Sequence, residues 1–119
     1  IHAGGLRYHG MAPLVSHAVH EGWIGGSAIH PVECFEAAVE FARTEGFVPA
    51  PESSHALAQA RREALACKDS GEEKVIVGGL SGHGLLELGA YADYMAGKLE
   101  ADEFSQAAAD EALSHTPEV

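Results

Sequence analysis

The chain has 119 residues, room for one domain or for part of a larger one. It is 46% hydrophobic but holds no long apolar run, so it reads as soluble, with no membrane span. Eighteen acidic residues against seven Lys plus Arg give a net charge of -11, which argues against a nucleic-acid backbone as partner.

In chain order, the first residues, "IHAGGLRYHG", start in mid-motif with Ile1 rather than Met and carry no charged-then-apolar leader. The expectation is a C-terminal fragment of a longer chain. Ala12 to His20 reads as a short helix with Leu14, Val15, Ala18 and Val19 on one face. Glycines at 22, 25 and 26 break it, and "SAIH" (27–30) suits a short strand. Pro31 fits the first turn of a second helix through "VECFEAAVEFARTE". There Val32, Phe35, Ala38, Val39 and Ala42 recur at helical spacing, with Glu33, Glu36, Glu40 and Arg43 on the other side. Gly46 is a C-cap candidate, and "FVPAP" is too proline-rich for helix. A third helix is expected over 53–68, capped near Glu52 or Ser53. Then come a polar turn, "DSGEE", a β-branched strand at 75–77, a glycine loop and a helix near 85–99. The acidic, alanine-rich residues 100–119 read as a loosely attached helix that frays at its end. Helices alternating with one or two strands imply an α/β fold with an incomplete open sheet. Cys34 and Cys67, far apart and within helix-like runs, are expected to be reduced thiols of a cytoplasmic protein.

The chemistry concentrates at "VIVGGLSGHG" (75–84), because loops at strand ends are where open α/β sheets bind ligands. "GLSGH" nearly matches the hydrolase elbow G-x-S-x-G, but His83 fills the last glycine position, where the strained turn needs a small residue. Only His115 follows at a distance to complete a triad, so a serine hydrolase is disfavoured. A dinucleotide fingerprint from Gly82 would put its third glycine at Glu87, whose carboxylate repels pyrophosphate. His17 and His20 have the i, i+3 spacing to share a metal with His2 or His9. With no H-E-x-x-H, solvated or hydrogen-bonded histidines are the better reading.

Three stretches together, "GGLRYHGMAPLVSH", "FARTEGFVPAPESSHAL" and "VIVGGLSGHG", resemble in order and spacing the C-terminal part of a tryptophan synthase beta chain, from about Ala3 to Leu99. "GLRYHG" and "LSGHG" are most similar to the beta-like, second-type branch; the common type has an aspartate where this chain has Arg7. The resemblance implies a fold-type-II pyridoxal-phosphate (PLP) enzyme that joins L-serine to indole by β-replacement, a homodimer when complete. It implies that Ser81 hydrogen-bonds the pyridine nitrogen of the cofactor, with Gly82 beside it and Glu52 next to the ring. A hydroxyl is a nearly neutral partner, so the ring nitrogen need not be protonated, which weakens the electron sink relative to an aspartate partner and suits β-elimination. From the residues alone, the better reading of Ser81 is a turn residue bonded to its own backbone, which the resemblance reverses, and Glu52 also reads as an ordinary helix cap. Arg7 would lie near the substrate pocket, its charge suited to a carboxylate or phosphate. Tyr8 and Gly10 match positions whose backbone carbonyls ligate a monovalent cation in the family. The Schiff-base lysine and the phosphate loop are expected upstream, supplied by the N-terminal portion of the same enzyme. Lys68, Lys74 and Lys98 have no pocket-like context that favours imine formation. On this reading residues 1–99 belong to the catalytic domain and 100–119 to an acidic helical tail. The rival reading is a non-catalytic α/β module whose glycine loop is purely structural.

Overall fold

Proline and glycine punctuate the helices as their backbone chemistry requires. The structure, a computed structural model, describes residues 4–6, 12–99, 107, 110, 111 and 114. A 3-10 turn (Gly4–Leu6) precedes α1 (Pro13–His20), α2 (Pro31–Glu45), α3 (Pro51–Ser70) and α4 (Leu88–Met95). α1, α2 and α3 each start on proline, whose missing N–H costs nothing in a first turn. Gly46 and Gly71, both at φ 71°, end α2 and α3 in the left-handed conformation that glycine adopts without strain.

α2 and α3 pack as a pair. Cys34, Phe35, Ala37 and Ala38 are buried on α2, and Ser53, Ser54 and Ala58 on α3. The small residues let the helices approach closely, and the acids along α2 pair with arginines of α3. Arg62 grips Glu33 through Nε and Nη2, at 2.6 and 2.5 Å, and Arg61 reaches Glu36 and Glu40, both at 3.1 Å. The Arg62 guanidinium holds the Glu33 carboxyl below its usual range. Across the other side of α2, Phe35 meets Tyr91 edge-on (centroids 5.1 Å) and stacks with Tyr94 (5.7 Å). Val39, Val48, Ala90 and Leu99 close around this aromatic cluster.

Several expectations change. The third helix begins at Pro51 rather than 53, with Ala50 as N-cap and no side-chain cap bond, so neither Glu52 nor Ser53 is the cap. The last helix spans only Leu88–Met95, because Gly84 to Glu87 turn first, Glu87 N–H donating to Gly84 O at 3.1 Å. Residues 27–30 form no strand; they brace the helix pair. Ser27 Oγ donates to Gln59 Oε1 (3.0 Å), Arg62 Nη1 donates to Ala28 O (3.3 Å), and His30 Nδ1 caps α2 by accepting Val32 N–H (3.3 Å).

The expected strand at 75–77 likewise pairs with nothing among the described residues, and its valines are 92% and 90% exposed. A strand is stabilised by cross-strand partners, and no described segment supplies one here. The described residues therefore hold no sheet, only an isolated antiparallel bridge between Pro49 and His83. Cys34 and Cys67 are both free thiols, and burial pushes the Cys34 thiol up to about 12. No helix among the described residues is long and apolar enough to cross a membrane. Most of the tail expected over 100–119 lies outside the described residues.

Candidate functional site

The glycine loop closes onto the start of α3, and two backbone bonds fix the register. Ala50 N–H donates to Gly82 O (3.0 Å), and Gly84 N–H donates to Val48 O (2.7 Å), flanking the Pro49–His83 bridge. Gly84 is needed at this crossing: a Cβ there would drive into the Pro49 carbonyl and come within 3.0 Å of Val48 and Tyr91 side-chain carbons. Gly82 is nearly as tight, its would-be Cβ lying 3.2 Å from that of Ala50. The Tyr91 hydroxyl, buried between α4 and the loop, donates to Pro49 O at 2.5 Å. Its burial raises the phenol above its ordinary value.

This clip sets Ser81 against the first turn of α3. Its hydroxyl lies 2.8 Å from Ser53 Oγ, and its backbone N–H donates to the same oxygen at 3.1 Å. Ser53 is 3% exposed, whereas Ser81 stands at the surface of the loop. Ser54, fully buried, turns its hydroxyl back to Ala50 O (2.8 Å). Glu52, the residue before Ser53, does not cap its own helix. Its Oε1 accepts the amide N–H of Gly5 at 2.7 Å, tethering the 3-10 turn to the start of α3. Ser81, Gly82 and Glu52, three residues singled out in the sequence, thus converge on one end of α3. Arg7, Tyr8 and Gly10 lie outside the described residues, as do His2, His9 and His115.

The surroundings of Ser81 answer the competing chemistries. Its hydroxyl is bonded to another hydroxyl and not to a base, while His83 Nδ1 accepts Leu85 N–H (3.3 Å) and His55 Nδ1 pairs with Pro51 O (2.9 Å). A nucleophilic serine needs a histidine or comparable base on its oxygen, and among the described residues none is placed there. His17 packs edge-on against Trp23, with centroids 5.6 Å apart, and no group of metal-ligating side chains gathers among the described residues.

Ser53 and Tyr91 were missed from the sequence. The serine pair in "ESSHAL" is a signal for Ser53, but read from the sequence it fits a helix cap, and only the Ala50 cap of the folded chain frees it for another task. Tyr91 carries no local signal.

The comparison with known proteins points one way. Over 99 residues the chain is 61% identical to tryptophan synthase beta chain 2 of Aquifex aeolicus, covering 83% of this chain and 23% of that one. It is 57% identical over 100 residues to the tryptophan synthase beta chain of Pyrococcus horikoshii, covering 84% and 22%, respectively. To tryptophan synthase beta chain 2 of Methanothermobacter thermautotrophicus it is 54% identical over 99 residues, covering 83% and 23%. The chain belongs to the tryptophan synthase beta family. No protein-family model matches it. The chain spans less than a quarter of the length of these tryptophan synthase beta relatives.

Proposed function

We propose that this chain is the C-terminal part of a PLP-dependent tryptophan synthase beta-like enzyme, which condenses L-serine with indole to L-tryptophan by β-replacement. Its identity of 54–61% to such chains supports this over a non-catalytic module. The observation that carries the site is the Ser81 hydroxyl, standing at the loop surface and backed by Ser53 in the first turn of α3, where Glu52 also lies.

These residues fit a pyridine ring. A ring nitrogen without a proton is an acceptor, and a neutral hydroxyl is the donor that leaves it unprotonated. Bound there, PLP supplies an electron sink for the α-carbon of the amino-acid substrate. Ser81 holds the ring by its nitrogen, and the close approach of Gly82 to Ala50 keeps the loop from drifting. Glu52 flanks the ring while its other task, binding Gly5, holds the 3-10 turn in place. In the sequence that turn is followed by Arg7, which is assigned to the substrate, and by Tyr8 and Gly10, whose carbonyls are assigned to a monovalent cation. The Schiff-base lysine and phosphate loop come from the N-terminal portion, in an open sheet of the fold-type-II class that the 75–77 segment completes. The complete enzyme is a cytoplasmic homodimer, with residues 1–99 in its catalytic domain and 100–119 as a tail.

The test is the full-length holoenzyme with Ser81→Asp. An aspartate protonates the ring nitrogen, so the cofactor absorbance should shift to the red and tryptophan formation from L-serine and indole should slow. An unchanged spectrum and rate would show that Ser81 does not meet the ring. Residues 1–119 alone, treated with PLP and borohydride, should carry no specific lysine adduct: Lys74 pairs with Glu72 (2.9 Å), Lys98 with Asp93 (3.4 Å), and Lys68 is an exposed residue in the last turn of α3. A stoichiometric adduct on any of them overturns that expectation.

A further inference from the structure

The site described above contains a buried hydroxyl with no assigned task. Ser53 Oγ has one proton and two lone pairs. One lone pair is taken by the backbone N–H of Ser81 at 3.1 Å, and the remaining contact among the described residues is the Ser81 hydroxyl at 2.8 Å. The direction of that second bond follows from burial. If Ser81 donated, the Ser53 proton would face no acceptor among the described residues at a position only 3% exposed, and an unsatisfied buried donor is costly. If Ser53 donates, both of its bonds are satisfied and the proton of Ser81 is left to point away from the protein. The exposed hydroxyl then has an accepting lone pair filled from behind and a donor directed outward.

We infer that Ser53 is a positioning residue for the cofactor: it orients the Ser81 hydroxyl as a one-way donor toward the ring nitrogen of PLP. This rests on the reading of Ser81 as the ring partner. Ser53 does not touch the ring; it acts through Ser81. The same oxygen anchors the Ser81 amide, so it sets both the loop position and the sense of the bond. A chain of two hydroxyls also polarises in one direction, which strengthens the outer donor without adding charge. Ser54, whose hydroxyl is spent on Ala50 O, has no such role.

The experiment uses the full-length enzyme carrying this segment, reconstituted with PLP labelled with 15N in the ring. Ser81→Ala should move the ring-nitrogen resonance toward that of a ring without a hydrogen-bond donor. Ser53→Ala should move it in the same direction by a smaller amount and weaken PLP binding about threefold to tenfold, the worth of one ordinary hydrogen bond. Ser53→Cys, of similar shape but a weak donor, should fall between Ser53→Ala and the parent; it also carries the comparison if the alanine variant loses its native melt. In the Ser81→Ala background, Ser53→Ala should move the resonance no further. A resonance that responds to Ser81→Ala but not to either Ser53 variant overturns the inference and leaves the Ser81 contact intact. A Ser53 effect that persists in full without the Ser81 hydroxyl also overturns it. If neither serine moves the resonance, the reading of Ser81 fails, and the inference with it.

Discussion

The aromatic cluster of Phe35, Tyr91 and Tyr94 and the valine-rich segment at 75–77 are both apolar, and the molecule treats them oppositely. Phe35 is 2% exposed, held between α2 and α4, while Val75 and Val77 are almost fully open to solvent. Apolarity alone does not bury a residue; a complementary face must be present to receive it. The helix pair carries its own complement, since the acids of α2 meet the arginines of α3 and the other side of α2 meets α4. The 75–77 segment has the composition of a buried strand and no partner among the described residues. Leu14 of α1 and Leu86 of the loop, at 84% and 88% exposure, are in the same position.

The sharpest way to break the packed half is Phe35→Ala. Removing a fully buried phenyl ring leaves a cavity between α2 and α4 and should lower stability by about 3–5 kcal/mol, read from a thermal or urea melt of residues 1–119. A loss no larger than that of a surface substitution would mean the aromatic cluster is not the core.

Next in size is Tyr91→Phe. The ring and its packing remain, but Pro49 O loses its donor inside the clip that holds the glycine loop. An unpaired buried carbonyl costs about 1–3 kcal/mol. The loop should loosen with it, seen as faster amide exchange at Gly84, whose N–H bonds to Val48 O. Tyr91 also gives a pH signature. Its folded pKa is raised by burial, so its contribution is fully present below the ordinary value of 10.0 and is lost as pH rises through the folded value. The parent should therefore lose stability in alkali faster than Tyr91→Phe.

How much of this was legible differs between the two halves. α2 could be read almost to the residue, because Pro31, a 3.6-residue apolar period and Gly46 are all local signals. The start of α3 falls two residues earlier than the sequence suggests, because "FVPAP" reads as one helix-breaking run although Pro51 at the first helical position breaks nothing. α4 is shorter at both ends than its sequence suggests: Leu85 and Leu86 continue an apolar run through what is a turn, and the helix closes at Ala96, before Gly97 at φ 67°. The site shows the same boundary. Ser81 was visible as the one hydroxyl in a glycine loop, but its partner Ser53 lies 28 residues away, and the register joining them is a tertiary fact. β-branched composition likewise announces a surface that wants a sheet, and says nothing of whether the sheet is at hand.

A smaller effect probes the exposed half. In residues 1–119, replacing Val75 and Val77 by threonine should change the melt by no more than about 0.5 kcal/mol, as for other exposed sites. It should nonetheless reduce binding of a hydrophobic dye, which the parent is expected to show. In the full-length enzyme proposed above these positions are covered, and a buried hydroxyl there should cost about 1–3 kcal/mol. Equal effects in the two settings would mean that nothing covers the segment.

The smallest expected effect is at the rim of the packed half, in Glu33→Gln. Arg62 binds Glu33 with two short bonds, yet both side chains reach solvent, Arg62 at 45% and Glu33 at 27% exposure, where ion pairs contribute little and salt screens them. The sign is fixed by the shift. Glu33 titrates below its ordinary value of 4.5 in the folded chain, so its contribution is present above that value and is lost as pH falls through the folded pKa. Glu33→Gln should therefore melt slightly below the parent at neutral pH and low salt. The gap should close in molar salt, and it should close again in acid, where the parent's carboxylate is protonated. A gap that ignores both salt and acid would mean that Glu33 contributes to the helix pair through packing and not through its charge.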